Sequence, residues 1–94
     1  MKIEWSAAAL ADLDRFAEFL QNRHPKLSAI VAGEIAAKAR ILTDSPRLGR
    51  AIAGRHEYRQ IVLRVLNAAY VFQYRLLDDR IVILRVFHGR ESRE

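Results

Sequence analysis

Ninety-four residues, 51% of them hydrophobic and 29% charged, are enough for one small globular domain with a modest core. The absence of cysteine excludes disulfides, a thiolate nucleophile and any cysteine-ligated zinc or iron-sulfur site. No apolar run approaches the length of a membrane span, and the start MKIEWS has neither an apolar signal core nor a cleavage site, so a cytoplasmic protein is expected. Charge is unevenly placed: residues 1–45 carry six Lys/Arg and six Asp/Glu, whereas residues 46–94 carry ten Arg and five acids, so the whole net charge of +5 falls in the second half. Every base in that half is arginine, the residue suited to a bidentate grip on carboxylates or phosphates. A solvated basic face is the plain reading, and a contact surface for an acidic protein or a nucleic acid is the functional one.

In chain order, Lys2 to Trp5 predicts a short strand, and Ser6 is placed to cap a helix from Ala7 to about Arg23. Leu10, Leu13, Phe16, Ala17 and Leu20 form its apolar stripe, with Asp12, Arg15, Glu18 and Gln21 beyond it. His24-Pro25 ends this helix and Pro25 opens the next, from about Lys26 to Thr43, with Leu27, Val31, Ile35, Ala39 and Leu42 on one side. Its many alanines allow close approach, so the two helices are expected to form an antiparallel hairpin on one face of a sheet. Asp44-Ser45-Pro46 begins a connection to Glu57 that reads as a long loop, a type of segment often functional.

Three strands follow, Tyr58 to Val65, Ala69 to Leu76 and Arg80 to His88, separated by turn residues at Asn67 and at Asp78-Asp79. They predict a three-stranded antiparallel meander. In the middle strand Tyr70, Phe72, Tyr74 and Leu76 alternate with Val71, Gln73 and Arg75, one face for the core and one for water or a partner. In the last strand Ile81, Ile83, Arg85 and Phe87 alternate with Val82, Leu84, Val86 and His88, so both faces are apolar. Such a strand is either covered on both sides or offers an apolar surface to another chain. The expected fold class is α+β, in the order β-α-α-β-β-β, with the helical hairpin on one face of a small, mainly antiparallel sheet and residues 1–94 forming a single domain.

Motif chemistry is sparse. The chain has no glycine-rich phosphate loop, no HExxH and no Gly-x-Ser-x-Gly. His24, His56 and His88 lie in separate segments without a second ligand at helical or hairpin spacing, so no metal site is expected. His56 and His88 are candidates for acid-base work or phosphate contact, although each reads more plainly as a surface or capping residue.

The opening IEWSAAALADLDRFAEFL, the loop with Pro46, Gly49 and Gly54, the strand AYVFQYRL and the ending DRIVILRVFHGR together resemble the RelE/ParE superfamily of toxins from bacterial type II toxin-antitoxin modules. The resemblance covers essentially the whole chain. It implies a compact α+β toxin that arrests growth, needs no cofactor or metal, and is neutralised by a cognate antitoxin whose C-terminal segment wraps over it. RelE-like members cut messenger RNA on the ribosome with basic side chains and an acidic residue, histidine or late tyrosine. ParE-like members poison DNA gyrase.

By the same resemblance Arg90 falls at the basic position after the last strand, Arg59 or Arg64 supplies a basic residue of the preceding strands, and Glu57 and His88 are acid-base candidates. Arg59, Arg64, Arg85, His88 and Arg90 are the candidate target-binding residues. The chain departs from the nuclease pattern in having no lysine-rich loop between the second helix and the strands, and no tyrosine after Arg90. A missing proton-transfer group costs about a hundredfold or more in rate, so the gyrase-directed reading is preferred to the ribosome-dependent nuclease. A third reading, a basic nucleic-acid-binding domain, would use Tyr70, Phe72 and Tyr74 as a base-stacking face, but their sharing a face with Leu76 assigns them to the core.

Overall fold

The computed structural model describes residues 1–91. Its elements are β1 (Lys2–Trp5), α1 (Ala7–Leu20), α2 (Pro25–Ala39), the single turn α3 (Ile41–Asp44), β2 (Arg50–Ile52), β3 (Arg55–Val65), β4 (Ala68–Leu76) and β5 (Arg80–His88). The strands form one five-stranded sheet in the order β1-β5-β4-β3-β2. β1 runs parallel to β5, and the remaining pairs are antiparallel. This is the expected α+β arrangement, two helices on a mainly antiparallel sheet.

Ser6 fixes the entry to α1. Its hydroxyl oxygen accepts from the Ala9 N–H at 3.0 Å, which satisfies one of the orphan donors of the first turn. α1 ends at Leu20, and a turn of three residues precedes α2. Pro25 occupies the first helical position of α2, where its missing N–H costs nothing. The Ser28 hydroxyl donates to the Ala17 carbonyl at 2.7 Å and fastens the two helices where their side chains are small. The predicted second helix is interrupted at Arg40: the Thr43 N–H reaches back three residues to the Arg40 carbonyl, and the Thr43 hydroxyl donates to the same oxygen. That tightening turns the chain into α3.

The connection before Glu57, expected as a loop, contains β2 and the first residues of β3. Ala53 and Gly54 both have positive φ, 52° and 74°, the combination of a two-residue hairpin turn whose twist matches that of its strands. Leu66 and Asn67, at 51° and 66°, repeat it between β3 and β4. An alanine at positive φ is a poor signal for such a turn, which is why β2 was not legible.

Leu13, Phe16, Val31, Ile35, Leu42, Leu63, Tyr70, Phe72, Tyr74, Ile81, Ile83 and Val86 form the core between helices and sheet, with Leu20 partly buried against it. Two expectations fail on α1: Leu10 is exposed, and Asp12 is 2% exposed. On β5 the predicted faces hold only as far as Ile83. Gln73 pairs with Arg85 but Tyr74 with Ile83, so Leu84 is an extra residue, a β-bulge. The bulge switches alternation, placing Val86 and His88 on the same face as Ile81 and Ile83. Val71, on the opposite face, is nonetheless buried, between Val62 of β3 and Phe87 of β5.

Phe16 meets Tyr70 edge to face at 5.2 Å between ring centroids. Phe16→Ala is therefore expected to cost about 3–5 kcal/mol, a large part of the stability of so small a domain, and chemical denaturation measures it. Unchanged unfolding would contradict this placement of the apolar stripe.

Candidate functional site

Beyond Trp5 the strand β1 no longer covers β5, so one edge of β5 from Ile83 to His88 would be left with open backbone groups. Side chains close it. Ser6 donates its N–H to the Ile83 carbonyl and its hydroxyl to the Leu84 carbonyl, each at 2.9 Å. Asp12 reaches the bulge from α1, its Oδ2 accepting from the Val86 N–H at 2.8 Å. The Glu91 carboxylate accepts from the His88 N–H at 2.6 Å, while the Glu91 N–H donates to the His88 carbonyl at 2.9 Å.

The two carboxylates are joined by arginines. Arg85 grips Asp12 with Nε at 2.8 Å and Nη2 at 2.9 Å. Arg15 donates to Asp12 Oδ1 at 2.6 Å and holds Glu91 with Nε at 3.1 Å and Nη2 at 3.0 Å. Burial pushes the Asp12 carboxyl up, but hydrogen bonds from Arg85, the Val86 N–H and Arg15 outweigh it, and the net direction is downward. Glu91 behaves alike: burial raises it, and Arg15 with the His88 N–H brings it below the ordinary value. Among the predicted target-binding residues, Arg85 is thus half-committed to Asp12, with its guanidinium also lying 4.7 Å from the Phe87 ring centre.

Arg59 points to the core side of β3 and is 8% exposed. Its Nη1 donates to the Gly49 carbonyl at 2.7 Å, and its Nε is buried without a partner. Beside it the Tyr74 hydroxyl donates to the Pro46 carbonyl at 2.7 Å and accepts from the Gly49 N–H at 2.9 Å. Any Cβ at Gly49 would lie 2.7 Å from the Tyr74 hydroxyl oxygen and 2.8 Å from its ring, so glycine is required by this contact. Arg59 and Tyr74 therefore staple the 46–49 segment to the sheet.

The other candidates divide between two ends. Tyr58 pairs with Arg75 and His88 with Tyr70, positions five residues apart on β4. At about 3.3 Å per residue, Glu57 and His88 are separated by roughly 17 Å or more. Glu57 is ion-paired with Arg55 at 3.2 Å. Its carboxyl is lowered chiefly by a hydrogen bond from its own backbone amide, against desolvation that raises it, with Arg55 adding to the lowering. At the other end Arg64 is level with Ala69, and the Gly89 N–H donates to the Ala69 carbonyl at 2.7 Å. Arg64, His88 and Arg90 are thereby brought to one end of the sheet. Arg64 and Arg90 are exposed, and His88 is half-buried with its ring 5.3 Å from that of Tyr70.

The face of the sheet away from the helices carries Tyr58, Gln60, Val62 and Arg64 of β3, Val71, Gln73 and Arg75 of β4, and Val82, Arg85 and Phe87 of β5. Val62 is 57% exposed there, and the Tyr58 ring lies against the guanidiniums of Arg55 and Arg75, at 4.6 and 5.4 Å. Tyr70, Phe72 and Tyr74 lie under the helices, so β4 presents none of them for base stacking. Among the described residues no three His, Asp or Glu side chains converge as metal ligands, and no helix is long and apolar enough to cross a membrane.

Asp12, Arg15, Glu91 and Tyr74 were missed as organising residues. The one available signal was β5 itself, whose apolar run of residues 81–84, followed by Arg85, departs from simple alternation where the bulge falls.

A helical hairpin on a five-stranded, mainly antiparallel sheet is the α+β architecture that the sequence resemblance implies. Residues 3–93 match the family model described as the ParE toxin of type II toxin-antitoxin system, parDE, and the chain belongs to that family. It is 32% identical over 88 residues to Toxin RelE1 of Caulobacter vibrioides, covering 94% of this chain and 92% of that protein. It is 30% identical over 91 residues to Toxin RelE3 of the same organism, covering 97% of each. In fold it is similar to a chain of a chromosomal ParDE TA system from P. aeruginosa, with a TM-score of 0.74, 20% identity and coverage of 94% and 95%.

Because the Asp12 carboxyl is depressed in the folded chain, it contributes stability that is present above its ordinary value of 3.8 and is lost as pH falls through the folded value. Unfolding free energies followed from about pH 7 to about pH 3 should fall less steeply in Asp12→Asn than in the parent. Parallel profiles would show that Asp12 does not carry this dependence.

Proposed function

We propose that this toxin acts by binding DNA gyrase and that its exposed arginines make contacts with the target without carrying out RNA cleavage. The observation that supports this reading is that the acidic candidate is separated from the basic ones: Glu57 stands at the opposite end of the sheet from Arg64, His88 and Arg90, and Arg59 is turned into the core. The carboxyls of Glu57 and Glu91 are both shifted downward, Glu57 first by its own backbone amide and Glu91 by Arg15 and the His88 amide against burial, the opposite direction to that of a tuned general base. Arg64 and Arg90, free of carboxylate partners among the described residues, remain as the exposed target-binding charges, with His88 beside them.

As a member of a toxin-antitoxin family the chain has a cognate antitoxin as its implied partner. We place that partner's segment on apolar surface the helices leave open. Val62 and the half-buried Val82, Leu84 and Phe87 offer it on the sheet, and the outer edge of β1 beside Ala36 and Ala37 of α2 offers a place for an added strand. This partner holds the toxin inactive in the cytoplasm, and release arrests growth.

Purified protein is expected to inhibit gyrase supercoiling and trap cleaved DNA while leaving ribosome-bound messenger intact. Arg90→Ala should weaken that inhibition by about tenfold or more, the loss of roughly 1.4 kcal/mol of contact energy. Messenger cuts on the ribosome made by the parent and abolished in Arg90→Ala would overturn the assignment in favour of the nuclease.

A further inference from the structure

We propose that the Arg15 guanidinium and the His88 N–H form a carboxylate-binding site which the chain's own Glu91 occupies as a displaceable internal ligand, and which an acidic side chain of a peptide partner takes over. Three donors converge on the Glu91 carboxylate: Arg15 Nε, Arg15 Nη2 and the His88 amide, at 3.1, 3.0 and 2.6 Å. Fork-shaped donation by arginine combined with a strand-edge amide matches a carboxylate in geometry as well as charge. The receptor side of this contact is independent of Glu91. Asp12 holds Arg15 from behind through Nη1 at 2.6 Å, and the guanidinium rests 4.8 Å from the centre of the Phe16 ring. Arg15 therefore stays aimed when Glu91 departs.

Glu91 itself is cheaply moved. It follows β5 across Gly89 and Arg90, and leaving β5 costs its two contacts with His88 and the pair with Arg15. Departure leaves Arg15 and Arg85 sharing the single negative charge of Asp12, with exposed Arg90 nearby, so the vacated site is net positive. It also reopens the His88 N–H and carbonyl on the free edge of β5, where an incoming extended segment finds backbone partners beside its carboxylate contact. Glu91 thus protects a strand edge and sets the threshold a partner must exceed, since a tethered carboxylate competes at the high effective concentration of a short linker.

This inference deepens the antitoxin reading by naming where an acidic residue of such a segment sits, and its test does not require the antitoxin, so either can fail alone. A capped tetraglutamate peptide is titrated into the parent, Glu91→Ala and the Arg15→Gln/Glu91→Ala double variant, following the His88 amide and the Arg15 Nε resonances by NMR. Binding is expected to be about tenfold tighter in Glu91→Ala than in the parent, with both resonances moving, and to be lost in the double variant. Glu91→Gln, which keeps a hydrogen-bond acceptor for His88, gives the same comparison if the alanine variant is unstable. Equal affinity in parent and Glu91 variants, or undiminished binding in the double variant, would overturn the proposal.

Discussion

A carboxylate on a helix closes the edge of a strand, and much of the basic end of this molecule depends on it. Asp12 accepts the Val86 N–H at the bulge and two guanidiniums at once, so a buried charge is fully hydrogen-bonded and paired. Removing it would strand Arg85 and Arg15 and leave the bulged edge open. Its cost is expected to be about 2–3 kcal/mol, below the roughly 3–5 kcal/mol of a fully buried pair because both arginines keep contact with water. Through Arg15 the same carboxylate positions Glu91 and hence the turn that carries Arg90. Packing in the core and display of charge at the sheet's end are therefore coupled by one side chain.

A second anchor works at the other end. Arg59 and Tyr74 bind the carbonyls of the 46–49 segment, and Gly49 allows the close approach to the tyrosine ring. The two anchors explain why arginines that look equivalent in sequence are not. Arg59 is spent on the fold and Arg85 half-committed to it, whereas Arg64 and Arg90 remain exposed. A surface made of unspent arginines, an aromatic flanked by two more of them and scattered apolar residues suits association with an acidic partner.

The helices and the three long strands were legible in the sequence because their periodicity is strong and their ends carry Ser6, Pro25 and Asp78-Asp79. β2 was hidden because its hairpin turns on Ala53 beside Gly54, and alanine carries no turn signal. The faces of β5 were misassigned beyond Ile83 because a single bulged residue inverts alternation. Asp12 looked solvated because a charged residue beside an apolar stripe ordinarily is, and nothing local reveals that a strand edge lies opposite. Among the site residues, nothing in the sequence separated exposed Arg64 and Arg90 from Arg59 and Arg85, because the commitments of the latter two depend on contacts distant in sequence.

The most direct test is a double-mutant cycle between Asp12 and Arg85, read as unfolding free energy for the parent, Asp12→Ala, Arg85→Ala and both together. If Asp12 organises the edge through its charge, the two losses are coupled by about 1 kcal/mol or more, and the double variant is less destabilised than the sum of the singles. Additive losses within about 0.3–0.5 kcal/mol would contradict the account, showing that Asp12 does not organise the edge through its pair with Arg85.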